Sequence, residues 1–168
     1  MVVELREIRE ADMPILYAHQ SDPVASAMAA FTSRDEPAFR EHIERVLGNP
    51  ATIIRSIVAA DVVVGEIGSW GDEGTRTVGY WIGREYWGKG YATAALRAFA
   101  GIDRVRPMLA HIAEHNIGSQ RVVERCGFVL DHTVQEDVLV RVYRLDGSGG
   151  GEELPQSLKT SVETRRTG

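Results

Sequence analysis

The chain has one cysteine, Cys126, in 168 residues. A lone thiol forms no intramolecular disulfide and no all-thiolate zinc site, so a disulfide-framed scaffold is excluded. No uninterrupted apolar run approaches the roughly 20 residues that cross a bilayer. The opening MVVELREIRE carries charges where a signal core would be apolar. Cations are in deficit, with 19 Lys+Arg against 24 Asp+Glu and a formal charge of −5. That balance argues against general nucleic-acid binding, which depends on cations clustered against phosphates. Internal repeats are missing. So are two common phosphate loops: there is no GxxxxGK[ST], and a Rossmann GxGxxG would need glycine where Thr93 stands. What remains is 43% hydrophobic and 26% charged, the profile of a small soluble domain with a sizeable core. The expected compartment is the cytoplasm, and no metal is expected.

From Asp146 the sequence reads DGSGGGEELPQSLKTSVETRRTG, with four glycines in its first six residues and no apolar periodicity after them. The chain therefore divides into a domain over residues 1–145 and a Gly-rich linker and tail over 146–168. Within the domain, Val3 to Ile8 alternates like a strand, and Arg9 to Gln20 is helical with Pro14 in the first turn. Ser33 is placed to cap a helix through Phe39, Ile43, Val46 and Leu47 that ends at Gly48. Thr52 to Ala60 and Asp61 to Ile67 form a tight hairpin, and Thr75 to Gly83 is a further strand. A helix follows with Tyr91, Ala95, Ala98, Ile102 and Val105 as its apolar stripe. Met108 to Ala113 is a short strand, and Asn116 opens a helix closed by Gly127 and Phe128. Phe128 to Val134 and Val138 to Leu145 make a closing hairpin. The order β, α, α, three β, α, β, α, two β predicts a mixed α/β (α+β) fold on one sheet.

Two passages carry chemistry. In TVGYWIGREYWGKGYATAAL a strand runs through a glycine-rich loop into an alanine-rich helix. Gly88 and Gly90 let backbone approach a ligand, and the helix start adds unpaired N–H groups that suit phosphate. The plainer reading is a tight strand–turn–helix. In HIAEHNIGSQRVVERCGF, Asn116 stands where a strand hands over to a helix, as a cap or as a ligand to something bound there.

Together these passages resemble the GNAT N-acetyltransferases, and more closely their RimJ/RimL-type branch. YWGKGYAT from Tyr86 to Thr93 is similar to the branch's loop. Asn116, Ser119, Gly127 and Phe128 match its second motif, and the element order over 1–145 agrees. The resemblance implies a central mixed sheet of about six to seven strands flanked by about four helices. It implies acetyl transfer from acetyl-CoA to a primary amine, either a protein N-terminal α-amine or a small molecule. An acyl-CoA-binding regulatory module without turnover is the reading from another class. A homodimer is compatible with either.

Carried onto this sequence, the resemblance assigns the pyrophosphate to the amides of Trp87, Gly88, Lys89, Gly90, Tyr91, Ala92 and Thr93. Trp87 replaces the Gln or Arg that opens the general family loop. Tyr80, Ile82 and Gly83 are expected along the pantetheine like an added strand, with a backbone N–H near Ile82 on the thioester oxygen. Asn116 is expected on the pantetheine, and Arg121 or Arg125 on the adenosine phosphates, with exposed helix cations as the alternative. Many members donate a proton from a Tyr seven residues after the Asn, but that position is Val123. The branch uses the Ser three residues after it, which is Ser119 here; the alternative is a first-turn Ser bonding backbone. His111 stands five before the Asn, where some members carry a Glu base, and imidazole suits that task. It shares a strand face with Leu109 and Ala113, so a packed structural His is the alternative. Glu66 is a second base candidate or a half-exposed strand residue, and Cys126 is expected to be inert. Met28 to Arg34 and the 134–138 turn are the expected acceptor walls.

Overall fold

Runs of Ile and Val, apolar on both faces, make the hairpin of Ile53–Ala59 (β2) and Val62–Trp70 (β3) in the computed structural model, which describes residues 1–147. Its turn places Ala60 and Asp61 at φ 47° and 63°, the left-handed pair that a tight two-residue hairpin demands. Glu4–Arg6 (β1) pairs antiparallel with β2, and Thr77–Ile82 (β4) with β3. Met108–Ala113 (β5), Val129–Gln135 (β6) and Leu139–Leu145 (β7) complete a seven-stranded sheet in the order β1-β2-β3-β4-β5-β7-β6. The first strand is shorter than the Val3–Ile8 span expected. Asp146 and Gly147 aside, the predicted tail lies outside the described residues.

Helices cover both faces. Met13–Ser21 (α1) and Glu36–Leu47 (α3) bring Met13, Leu16, Phe39 and Ile43 onto Val58 and Val63. Tyr91–Ile102 (α4) and Ile117–Arg125 (α5) bring Ala95, Leu96, Phe99 and Val123 onto the other face, against Ile67, Met108, Ile112 and Tyr143. The α4 stripe differs from the expected one. Leu96 and Phe99 take the sheet, while Ile102 and Val105 are exposed, because α4 ends at Ile102 and Val105 lies beyond its Asp103 cap. Sequence pattern marks four helices, and the structure adds a fifth, Pro23–Met28 (α2). Asp22 starts it by accepting from the N–H groups of Val24 and Ala25 at 2.9 and 3.0 Å. Asp35 rather than Ser33 caps α3, accepting from Ala38 N–H at 2.9 Å. Gly127, at φ 89°, lets Phe128 N–H return to Val123 O at 3.0 Å and close α5 as expected. Among the described residues, no helix is long and apolar enough to cross a membrane.

Every neighbouring pair in the sheet is antiparallel except β4 and β5. These run parallel, and only Thr77 and Leu109 are in register. Leu109 N–H donates to Arg76 O at 2.7 Å, and beyond that point the strands part. The closed end is fastened by buried charge. Arg76 Nε donates to Asp103 Oδ2 at 2.6 Å, and Arg76 Nη2 to Ser69 Oγ at 2.9 Å. Ser69 donates in turn to Asp103 at 2.6 Å, and Val105 N–H to its other oxygen at 3.0 Å. Burial alone would raise the Asp103 carboxyl, but these hydrogen bonds and the Arg76 charge hold it below the ordinary carboxylate range. The network ties β3 and β4 to the α4–β5 connection.

Removing one partner strands the other charge in the interior. Asp103→Ala is expected to cost about 3–5 kcal/mol of stability in urea unfolding at pH 7. A loss below about 1 kcal/mol would show that the closed end does not depend on this pair.

Candidate active site

Backbone direction alternates along β4. Gly83 N–H donates to Val64 O on β3 at 2.9 Å, so the N–H groups of Trp81 and Gly79 also turn to β3. Those of Val78, Tyr80 and Ile82 turn into the gap that β5 leaves. At the mouth of the gap the chain passes through a 3-10 turn, Arg84–Tyr86, into the glycine loop and α4. The Trp87 indole N–H donates to Ile82 O at 2.9 Å and anchors the loop to the strand end. Gly88 and Gly90 sit at φ 71° and 84°, a conformation that side chains rarely adopt. A Cβ at Gly88 would meet nothing within 4 Å, and at Gly90 only Met1, at 3.7 Å. The loop backbone therefore faces open space. No side chain caps α4, whose first hydrogen bond runs from Ala94 N–H to Gly90 O at 3.1 Å. The amides of Tyr91, Ala92 and Thr93 are left without helical acceptors. Lys89 Nζ lies 5.6 Å from the Tyr86 ring centre. The set fits a pyrophosphate.

Deeper in the gap a cleft of about 100 Å³ collects residues from three elements: Val78 and Tyr80 on β4, His111 on β5, and Asn116 and Ser119 at the start of α5. Asn116 Oδ1 accepts from Ser119 N–H at 3.1 Å, so the cap is made, and the carboxamide nitrogen remains as a donor into the cleft. Ser119 is half-buried, and its Oγ makes no hydrogen bond among the described residues. Its carbonyl accepts the Tyr80 hydroxyl at 3.3 Å, and burial pushes that phenol up to about 12. His111 is exposed beside the cleft rather than packed as a structural histidine. Arg121 and Arg125 are exposed on α5, away from the cleft lining. Cys126 donates to Thr93 O at 3.6 Å, and burial raises its thiol, in keeping with an unreactive cysteine.

A larger hollow of about 410 Å³ lies against β2, β3 and β4 and shares Gly79 and Tyr80 with the first cleft. It holds Glu66, whose neighbours in register are Ser56 on β2 and Trp81 on β4. Glu66 is more deeply placed than a half-exposed strand residue at its carboxyl: Oε2 is enclosed and has no hydrogen-bond partner among the described residues. Burial lifts it from 4.5 to about 7, and the charge of Arg34 opposes this only in part. Of the expected acceptor walls, the Met28 to Arg34 segment lines the small cleft through Ala29 and touches the hollow only through Trp81. Phe31 packs edge-on to Trp81 at 5.5 Å, and Arg34 lies 5.1 Å over the Phe31 ring. The 134–138 turn lines neither cleft. Sequence reasoning missed Trp70, Trp81 and His42. The period-two run Glu66, Gly68, Trp70 offered a signal for the first of these, but nothing local placed α3 opposite.

The folded state holds the Glu66 proton more tightly than the unfolded chain does. The cost of ionising it is therefore absent below the ordinary 4.5 and fully present above about 7. Glu66→Gln keeps the shape and forfeits no protein partner of Oε2. At pH 8 it is expected to raise Tm by about 2–4 °C, the response of a domain this size to roughly 1 kcal/mol. By pH 4.5 the difference should vanish. A variant no more stable at pH 8 would show the carboxylate to be well solvated.

Residues 3–129 match the family model described as the acetyltransferase (GNAT) domain. No curated protein sequence matches. Among solved structures, the spermidine N-acetyltransferase of Vibrio cholerae, in complex with CoA and spermine, superposes with a TM-score of 0.78 at 15% identity, covering 87% of this chain and 96% of that one. RimL, a ribosomal L7/L12 α-N-protein acetyltransferase in complex with CoA, gives 0.76 at 16% identity over 88% and 95%. A GNAT-family acetyltransferase from Bacillus anthracis gives 0.76 at 17% identity over 87% and 95%. Fold and family model agree, and the chain belongs to the GNAT acetyltransferases.

Proposed function

We propose that this protein transfers the acetyl group of acetyl-CoA to a primary amine. The observation that carries this is the β4–β5 gap, lined by outward-turned N–H groups and ending at the uncapped amides of α4. In this reading the pyrophosphate lies on the amides of residues 87–93, and the pantetheine pairs with Tyr80 and Ile82 as an added strand beside Gly83. The Asn116 carboxamide nitrogen donates to the pantetheine, and Arg121 stands outside for the adenosine phosphates. The Ile82 N–H, turned into the gap, meets the thioester oxygen as it gains charge.

The attacking nitrogen needs its lone pair. An α-amine, titrating ordinarily at about 7.7–8.0, sheds its proton more readily than a lysine-type amine at about 10.4. His111, open to solvent at the cleft edge, takes the proton from the incoming ammonium. The C–N bond then forms, the C–S bond breaks, and Ser119 Oγ gives a proton to the departing sulfur, recovering one from the amide nitrogen through solvent. The structurally similar RimL acts on a protein α-amine and the Vibrio enzyme on spermidine, so the acceptor is either class. The hollow beside Gly79, of about 410 Å³ and largely apolar, favours a small molecule over a protein terminus.

Gly90→Val is expected to weaken acetyl-CoA binding at least tenfold by calorimetry while the protein stays folded; unchanged affinity would displace the pyrophosphate from this loop. Ser119→Ala is expected to lower kcat by about 10²-fold or more with little change in KM for acetyl-CoA. A drop under about threefold would pass the donor role to another hydroxyl, Tyr80 being the one at hand.

A further inference from the structure

The hollow beside Gly79 has a shape with a local cause. Gly68 and Gly79 face each other across β3 and β4, leaving no side chain on the sheet surface there. A Cβ on Gly79 would stand 3.0 Å from the Trp70 ring, and one on Gly68 would stand 2.8 Å from Ile53 O. Both positions are glycine because the Trp70 ring lies down on Gly79 and the Ile53 carbonyl lies against Gly68, so the ring forms part of the floor. Around it rise Trp70 and Trp81 from the sheet, Ile53 and Ile54 from β2, and Val46 and His42 from α3. Trp70 is 49% exposed, an unusual cost for so large an apolar ring with no partner to cover it.

The polar inventory of this space is short. Among the described residues Glu66 is its one carboxylate, with Oε2 enclosed and unpartnered, and Thr52 adds a hydroxyl at the rim. Ser69 has already spent its hydroxyl on Asp103, and Ser56, beside Glu66, has spent its own on Asp12 at 2.8 Å. His42 reaches Arg45 through Nδ1 at 3.2 Å, and its imidazole is held below the ordinary range by burial and by the nearby Arg34 and Arg45 charges. A polyamine would need several carboxylates, and a peptide terminus would need partners for its backbone amides. Neither set is present. Aromatic faces with a single buried acid suit a single cation on a carbon body, since ring faces attract ammonium groups as well as apolar surface.

We infer that this hollow is the acceptor pocket and that it takes a compact primary amine on an apolar, ring-sized skeleton. Glu66 draws the ammonium group in and the carbon body lies between Trp70 and Trp81; the nitrogen gives its proton to His111 on reaching the gap. The inference rests on the acetyl-transfer reading above and deepens it. The two clefts share Gly79 and Tyr80, so an amine in the hollow lies next to the β4–β5 gap, along the edge of the Trp70 ring that rests on Gly79.

The test is thiol release by the full chain at fixed acetyl-CoA with four probes: 2-phenylethylamine, tryptamine, spermidine and a Ser-initiated hexapeptide. The aryl amines are expected to show kcat/KM at least tenfold above the other two. Val46→Trp, which fills the hollow from α3, should raise KM for the aryl amine at least tenfold and leave KM for acetyl-CoA within twofold. Trp70→Ala, at an exposed wall, should raise the same KM and guards against a misfolded Val46 variant. Spermidine or the peptide matching the aryl amines, or both variants leaving their KM unchanged, would overturn the pocket assignment. So would acetyl-CoA binding by calorimetry with no aryl amine turned over. Failure to bind acetyl-CoA at all would instead remove the acetyl-transfer reading beneath it.

Discussion

The parting of β4 and β5 is the constraint from which the rest of this molecule follows. Two parallel strands in one sheet would ordinarily satisfy each other's N–H and C=O groups along their length. Here pairing stops after Thr77 and Leu109, and the groups beyond are left facing a gap. A sheet opened this way is held only at one end. That end is where Arg76, Asp103 and Ser69 are buried together, with Arg76 also donating to Gly71 O at 2.8 Å. A buried ion pair is a poor source of net stability compared with apolar packing. Its contribution here is positional, because Asp103 follows the last residue of α4, Arg76 precedes the first of β4, and both must meet for the strands to diverge from a fixed point.

From that point the strand β4 serves two spaces at once. Its even-numbered residues turn backbone into the gap, while Trp81 and Gly79, with the Trp70 ring upon it, face the hollow on the helix α3 side. Tyr80 crosses to the start of α5, where its hydroxyl meets Ser119 O and leaves the Ser119 side chain free. Asn116 divides its carboxamide in the same economical way, capping α5 with oxygen and keeping nitrogen for the cleft. The cap and ligand readings of Asn116 are therefore compatible, because the side chain has two ends.

Glu66 shows the opposite pattern, a polar group that the fold does not satisfy. Its enclosed oxygen lacks a partner among the described residues, and its ionised form is disfavoured by burial. Structural carboxylates elsewhere in the chain are treated differently. Asp12 is held down to about 2, chiefly by the hydrogen bonds from Arg6 and also by those from Arg9 N–H and Ser56. An acid left unpaired beside two tryptophans is destabilising in isolation, and such groups concentrate where ligands complete them.

Much of this was legible in the residues themselves. Local chemistry fixes the α5 start at Asn116, its end at Gly127 and Phe128, the hairpin after Ala59, and the uncapped glycine entry to α4. These depend on neighbours within a few positions, which the sequence states directly. The family resemblance likewise rests on contiguous motifs. Tertiary structure decided the rest. Short α2 carries too few residues to show a period, and the α4 stripe was settled by which side chains the sheet could bury. That His111 is exposed, that Trp87 anchors the loop, and that Glu66 is enclosed all depend on elements distant in sequence. The hollow itself exists because two glycines on different strands fall into register, and register is a property of the assembled sheet rather than of either strand.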